Sequence, residues 1–172
     1  MKRIAVLKIE HGDEEDRMVD TIHIPVNDSG PIVWEPVDRL LRNKYKNCII
    51  LNTKYINTMR AILIDSDNQV VREVNISQDN FLQDSYRNIG NGCQMIEYVH
   101  YVNLKGHCMY VDEEGLFNTA EKGFSIENCV FVGNALIFGD DSEGNETDAS
   151  LMLEEIESIV SWIPDVSQYK LQ

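Results

Sequence analysis

The side chains best suited to metal or nucleophilic chemistry are four cysteines, Cys48, Cys93, Cys108 and Cys129, and four histidines. By residue type, Cys93, His100, His107 and Cys108 are competent zinc ligands. Their spacing matches no usual zinc pattern, however, and no two cysteines form a C-x-x-C pair. Each cysteine sits among apolar or β-prone neighbours and reads as a small buried hydrophobe in a reducing compartment. His100 and His107 flank a turn and read as strand histidines. The loop from Asp140 to Asp148 is rich in oxygen ligands, so calcium is the next chemistry to consider. Counted from Asp140, its glycine (Gly144) comes one place too early for an EF-hand, and Leu151 stands where the closing glutamate is needed. General acid–base catalysis needs two titratable groups in unlike environments within one cleft. Here the acids fall in turns and on a helix exterior. There is no G-x-S-x-G, P-loop or G-x-G-x-x-G segment, and Ser, Cys and His are too scattered for a triad. The sequence therefore assigns no catalytic residue, no metal and no cofactor.

Charge is the more informative chemistry. Residues 1–110 carry 15 acidic and 13 basic side chains, whereas residues 111–172 carry 14 acidic and only two basic ones, Lys122 and Lys170. Of the net −14, −12 therefore belongs to the last third. Such a surface repels phosphate backbones, which argues against direct binding of DNA or RNA, and it suits a partner protein with a basic surface. The residues expected to form it are Asp112, Glu113, Glu114, Asp140, Asp141, Glu143, Glu146, Asp148, Glu154 and Glu155, with Glu157 beside them. The segment 39–60 is the opposite, with Arg39, Arg42, Lys44, Lys46, Lys54 and Arg60 and no acid after Asp38. Arg39, Arg42, Lys44 and Lys46 are the alternative site, for a phosphate-bearing small ligand such as a nucleotide, or for the acidic region of a second copy in a homo-oligomer.

The elements that must position these groups are legible in outline. Alternating residues predict strands near Arg3–Ile9 and Met18–Val26. Val37, Leu40, Leu41 and Tyr45 recur at helical spacing after Pro36, and a short strand follows at Cys48–Leu51. The same order then recurs: strands over Arg60–Asp65 and Val70–Ile76, a helix carrying Phe81, Leu82, Tyr86 and Ile89 with Ser77 as cap and Gly90 or Gly92 as its end, and a strand over Gln94–Val102. The match of Arg3-Ile4-Ala5-Val6-Leu7 to Arg60-Ala61-Ile62-Leu63-Ile64 suggests duplicated ββαβ units, 1–58 and 59–103, and the chain is expected to form two domains, 1–58 and 59–172, packed as one body. Leu104-Lys105-Gly106 predicts a turn into a strand at His107–Val111. Residues 116–127 read as irregular, and Asn128–Phe138 as one apolar strand bent at Gly133. Leu151, Leu153, Ile156, Ile159, Val160 and Ile163 predict a C-terminal helix capped by Asp148 or Ser150 and stopped by Pro164. The fold class is α+β, a mostly antiparallel sheet with two or three helices. No stretch is apolar enough to cross a membrane. The charged N-terminal run is too short for a signal-peptide core, so a cytoplasmic protein is expected.

An ordered set of segments carries a family resemblance. It comprises Ile89-Gly90-Asn91-Gly92 before Met95-Ile96-Glu97, then Met109 to Leu116, then Val132 to Asp141, followed by Glu143-Gly144 and Thr147-Asp148. On these, residues 59 to about 160 resemble a phage, prophage and plasmid family known as domain of unknown function 3846. The chain departs from the family pattern in having Gly90-Asn91-Gly92 in place of paired glycines, and only Asn118 where a Pro-x-Asn-like segment is usual. Residues 1–58 lie outside the family's extent. The resemblance implies a mobile-element origin and no particular reaction. Together with the acidity it implies a non-catalytic accessory protein in a host cytoplasm, binding a host or viral protein, with imitation of nucleic-acid charge as the sharpest form of that role.

Overall fold

Alternation builds the first part of the chain. The structure, a computed structural model, describes residues 2–11, 18–26, 34–45, 49–99 and 102–170. Strands β1 (Lys2–His11) and β2 (Met18–Val26) pair antiparallel, with Ala5 opposite Ile24 and Leu7 opposite Ile22. Ala5, Leu7 and Ile9 are fully buried on one face of β1. Helix α1 (Trp34–Lys44) covers that face through Val37, Leu41 and the following Tyr45, spaced one turn apart. Strand β3 (Ile49–Asp65) is 17 residues long, and its residues 49–58 pair with β1. The chain divides within β3 into two compact units, Met1–Thr58 and Met59–Gln172.

In the second unit, residues 59–65 of β3 turn through 66–69 into β4 (Val70–Ser77), followed by α2 (Phe81–Ile89), β5 (Ile96–Tyr98) and β6 (His107–Asp112). A hairpin of β7 (Gly123–Ile126) and β8 (Cys129–Val132) leads to β9 (Ala135–Asp140), the short β10 (Glu146–Thr147), the single-turn α3 (Leu153–Glu157) and β11 (Val160–Ile163). The main sheet runs β3-β9-β6-β5, with β4 on β3 and β10 on β9, while a second sheet runs β11-β7-β8. Because successive residues of a strand face opposite ways, β9 feeds two cores at once. Leu136 and Phe138 pack with Ala61, Leu63, Ile76 and Ile89 under α2. Ala135 and Ile137 pack with Ile62, Ile64, Met109, Phe124, Phe131 and Ile156 under the small sheet and α3. Each fully buried Ile, Leu or Phe contributes about 1.5–3 kcal/mol relative to an exposed one.

The α+β class with mostly antiparallel strands is the observed one, but several expected elements differ. The C-terminal helix is a single turn, with Met152 at its N-cap, where the backbone N–H donates to Glu155 Oε2 at 2.9 Å. Neither Asp148 nor Ser150 caps it. Val160 to Ile163 instead form a strand on β7, because β-branched and aromatic residues suit an alternating surface and their apolar spacing fits both periods. Residues 49–65 are one strand rather than two. The run 94–102 yields only three strand residues, with positions 100 and 101 outside the described residues. Residues 123–126 of the span read as irregular are strand β7. The run 128–138 is two strands in different sheets, turned at Gly133, whose φ of 81° favours glycine. Asn80, not Ser77, precedes α2, and Asp84 reaches back to accept the Ser77 N–H at 3.1 Å.

The recurrence of ββαβ holds in order but not in pairing. In the first unit the strand after the helix pairs with β1. In the second, β5 pairs with β6, and β9 takes the place beside β3. The sequence match also slips by one residue. It aligns helix-facing Ala5 and Leu7 with Ile62 and Ile64, which face the small sheet, whereas Ala61 and Leu63 are the helix-facing pair.

The entry to β9 is held by one polar side chain. Asn134, 6% exposed, accepts from the Ser66 N–H at 2.8 Å and the Ser66 hydroxyl at 2.9 Å. It donates from Nδ2 to the Ile89 carbonyl at 3.1 Å. Asn134 thus closes the β3–β4 turn against the end of α2, satisfying groups that water does not reach. Asn134→Ala strands them, so it should lower unfolding free energy in urea by about 2–4 kcal/mol. A wild-type midpoint would show that these bonds are dispensable.

Candidate functional site

The acidic residues occupy two places in the second unit. His107 at the start of β6 pairs with Gly139 at the end of β9, so the loop after β9 lies at that end of the strand pair. Asp112 ends β6 five residues further on, about 17 Å away at strand rise. The Asp112–Glu114 turn and the 140–148 loop are therefore at opposite ends of the same strands. The α3 acids go with the loop. His107 Nε2 accepts the Ser150 N–H at 3.0 Å, and Lys105 Nζ lies 4.0 Å from Glu155 Oε1.

At the loop end, half of the carboxylates have structural work. Asp141 Oδ1 accepts the Glu143 N–H at 2.8 Å and the Asn145 N–H at 2.9 Å, which closes a tight turn with Gly144 at φ 82°. These bonds, chiefly from Asn145, hold the Asp141 carboxyl below its ordinary pKa. Asp148 Oδ1 accepts the Arg60 N–H at 2.7 Å, and Arg60 in turn bonds Glu73 and the carbonyls of Ala149 and Leu151. Glu146, half-buried, accepts from the Tyr110 hydroxyl, and Glu155 caps α3. Burial first, then the Glu146 bond, raises the Tyr110 phenol far above its ordinary range. Asp140, Glu143, Glu154 and Glu157 remain exposed.

Asp112 is a correction to the expected surface. It is 7% exposed and faces inward. Its Oδ1 accepts the Glu114 N–H at 3.0 Å, and Oδ2 accepts from Asn118 Nδ2 at 2.6 Å. Asn118 Oδ1 in turn accepts the Ala120 N–H. Asp112 is thus the internal brace of a turn that displays Glu113, Glu114, Leu116 and Phe117. A carboxylate ending a strand gave no sequence sign of this role, because the partner that identifies it, Asn118, lies beyond an irregular stretch. Glu97, Leu116 and Val130 were not singled out either, yet with Glu113 they border one open groove. The contacts that assemble it run between distant segments.

Cysteine and histidine placement argues against a zinc reading of the described residues. Cys93 and Cys108 are buried, with thiols directed at the carbonyls of Met95 and Phe138. Since His107 Nε2 accepts from Ser150, Nδ1 carries the proton and donates to the Leu104 carbonyl at 3.1 Å, so both ring nitrogens are engaged. His100 and Cys48 lie outside the described residues. Among the described residues no three His, Cys, Asp or Glu side chains converge to hold a metal. Of the alternative basic site, Arg39 and Lys44 are on the exposed side of α1 in the first unit, and Lys44 Nζ stands 4.9 Å over the Tyr45 ring. The Arg42 side chain and Lys46 lie outside the described residues. No described helix is long and apolar enough to cross a membrane.

A family model described as a domain of unknown function (DUF3846) matches residues 59–161, from the first residue of the second unit into β11. No curated protein and no solved structure matches. Two of the segments that carry the family resemblance contain close backbone approaches. A Cβ on Gly139 would meet Thr147 Oγ1 at 2.4 Å, and one on Gly115 would meet the carbonyl oxygens of Asp112 and Val132 at 3.1 Å.

Burial pushes the Cys93 and Cys108 thiols up to about 11 from an ordinary 9.0. In the unfolded chain they ionise near the ordinary value. Between the two values the unfolded state binds fewer protons, so stability should be level below about pH 8.5 and fall as pH rises to 11. Urea titrations across that range, beside a Cys93→Ala/Cys108→Ala variant, check this. An equal decline in the variant would remove the thiols as its cause.

Proposed function

The chain belongs to the DUF3846 family, and we propose that it is a non-catalytic accessory protein of a phage or related mobile element. In this reading it acts in the host cytoplasm and binds a host or viral protein with a basic surface through the acidic end of its second unit. The observation that carries this is the grouping of Asp140, Glu143, Glu154 and Glu157. All four are exposed, on a loop and a helical turn fixed to the same end of β6 and β9 by the Asp148–Arg60 and Ser150–His107 bonds. Exposed carboxylates held on a braced frame resemble the fixed negative charge of a duplex, and a nucleic-acid-handling protein would meet them with its Lys and Arg side chains. The separate position of the Asp112 turn narrows the surface from the ten acids expected in sequence to this one end. The nucleotide-binding alternative draws on Arg39 and Lys44 alone among the described side chains, and no specific observation favours it.

Affinity capture from host lysate at about 0.1 and 0.5 M NaCl tests the proposal, because a charge-driven contact weakens over that range. The quadruple variant Asp140→Asn/Glu143→Gln/Glu154→Gln/Glu157→Gln is run in parallel. The expected result is a basic, nucleic-acid-binding protein that is retained at low salt, released by duplex DNA and lost with the variant. Retention indifferent to both salt and variant would sink the reading.

A further inference from the structure

The outer strand of the first unit presents a free edge. Among the described residues β2 pairs with β1 alone. A strand accommodates proline where its nitrogen faces away from the ladder, so Pro25, opposite Ile4, makes no hydrogen bond to β1. Antiparallel pairs alternate between those that exchange hydrogen bonds and those that do not. Counting back from Pro25, the backbone groups of Val19, Thr21 and His23 also point away from β1, while Asp20, Ile22 and Ile24 bond to it. Val19, Thr21, His23 and Pro25 are all exposed, Val19 to 51%. On the other face of the strand Ile22, Ile24 and Val26 are half-buried against the core under α1. Met18, on that same face, is 60% exposed. Between Met18 and Ile24 the strand carries none of the lysines, prolines or bulges that usually blunt a free edge.

We propose that a second copy of this chain pairs with this edge, β2 on β2 and antiparallel, about a two-fold axis through Thr21. A two-fold axis makes the contact self-complementary, and only registers that set outward-facing residues opposite one another can form its bonds. The strand's own residues select among these registers. An axis at Asp20 sets that carboxylate directly against its own copy, a repulsive pair. An axis at Ile22 or His23 sets Val19 or Thr21 against Pro25, which has no N–H to give. An axis at Val19 leaves that residue alone to bond within the strand. With the axis at Thr21, Val19 bonds the partner's His23, and Thr21 meets the partner's Thr21 in a favourable cross-strand pair. On the α1 side Met18 lies over the partner's Ile24, so each copy covers the apolar rim of the other's core. Asp20 then faces the partner's Ile22, with its carboxylate held 3.3 Å from His11 Nε2 on its own β1. A second copy is favoured over an unrelated strand because the edge supplies every complement that the contact needs. The contact uses no residue of the acidic loop end and is independent of it.

Sedimentation equilibrium of the full chain should show monomer passing to dimer as concentration rises through the micromolar range. Thr21→Cys should give an intermolecular disulfide under mild oxidation, because bonded partners on antiparallel strands have Cα atoms about 5.5 Å apart, within disulfide reach. Val19→Cys and His23→Cys should not, since each position stands about 14 Å from its own copy at strand rise. Wild type, with its own cysteines, sets the background. Thr21→Lys opposes two cations on the axis and leaves the β1 bonds in place. It should raise the dimer dissociation constant at least about tenfold, with an unchanged circular dichroism spectrum. Thr21→Pro should do the same by removing the outward N–H. The loop-end quadruple variant should dimerise as wild type does. A chain monomeric throughout, a disulfide from Val19→Cys or His23→Cys in place of Thr21→Cys, or a dimer indifferent to both Thr21→Lys and Thr21→Pro overturns the proposal.

Discussion

Strand β9 must be covered on both faces, and the architecture of the second unit follows from that requirement. Ala135 to Phe138 are fully buried, with apolar residues on each side of the pleat. A strand of this kind costs heavily in exposed apolar surface unless two separate layers enclose it. Helix α2 supplies one layer, and the small sheet with α3 supplies the other. Gly133 and Asn134 stand where the chain passes from the small sheet into the main one. The glycine adopts the positive φ of the corner, and the asparagine satisfies polar groups of the β3–β4 turn and the end of α2.

This arrangement sorts the acidic residues into different occupations. Tying the chain after β9 back onto β3 and β6 uses Asp148, Glu146 and Asp141 as bracing, and ending β6 beneath the small sheet uses Asp112 as an internal acceptor. Asp140, Glu143, Glu154 and Glu157 are exposed beside these braces, of which Asp141 and Asp148 are exposed as well. Net charge marks only the last third of the chain. Division of labour within it depends on which backbone donors come near, and only tertiary structure decides that.

What could be read from sequence tracks how local the deciding physics is. The β2 boundaries, the packing of Phe81, Tyr86 and Ile89 on α2 and the glycine stop after Ile89 depend on neighbours a few residues away and were legible, whereas Leu82, read with that apolar face, is exposed. The segment from Leu151 to Ile163 was misread because Leu153, Ile156, Val160 and Ile163 satisfy helical spacing, while what makes residues 160–163 a strand is β7, nearly forty residues earlier. The middle of β3 looked like a break because Asn52, Thr53, Lys54 and Asn57 are polar on both faces of the pleat, and what makes the stretch a strand is its pairing with β1, more than forty residues earlier. Asp112 was legible as an acid and illegible as a brace.

The position of β9 between β3 and β6 also has a consequence in time. Ile62 and its partner Ile137 are roughly 75 residues apart, so at about 5–20 residues per second a ribosome delivers β3 several seconds before its neighbour. Until then β3 and β6 each carry an unmet edge with apolar faces, and neither can close on the other without shutting β9 out. A strand made late in the second unit is therefore the one that completes its centre. A nascent chain that stalls before residue 135 holds exposed strand edges of the kind that chaperones shield and aggregates recruit.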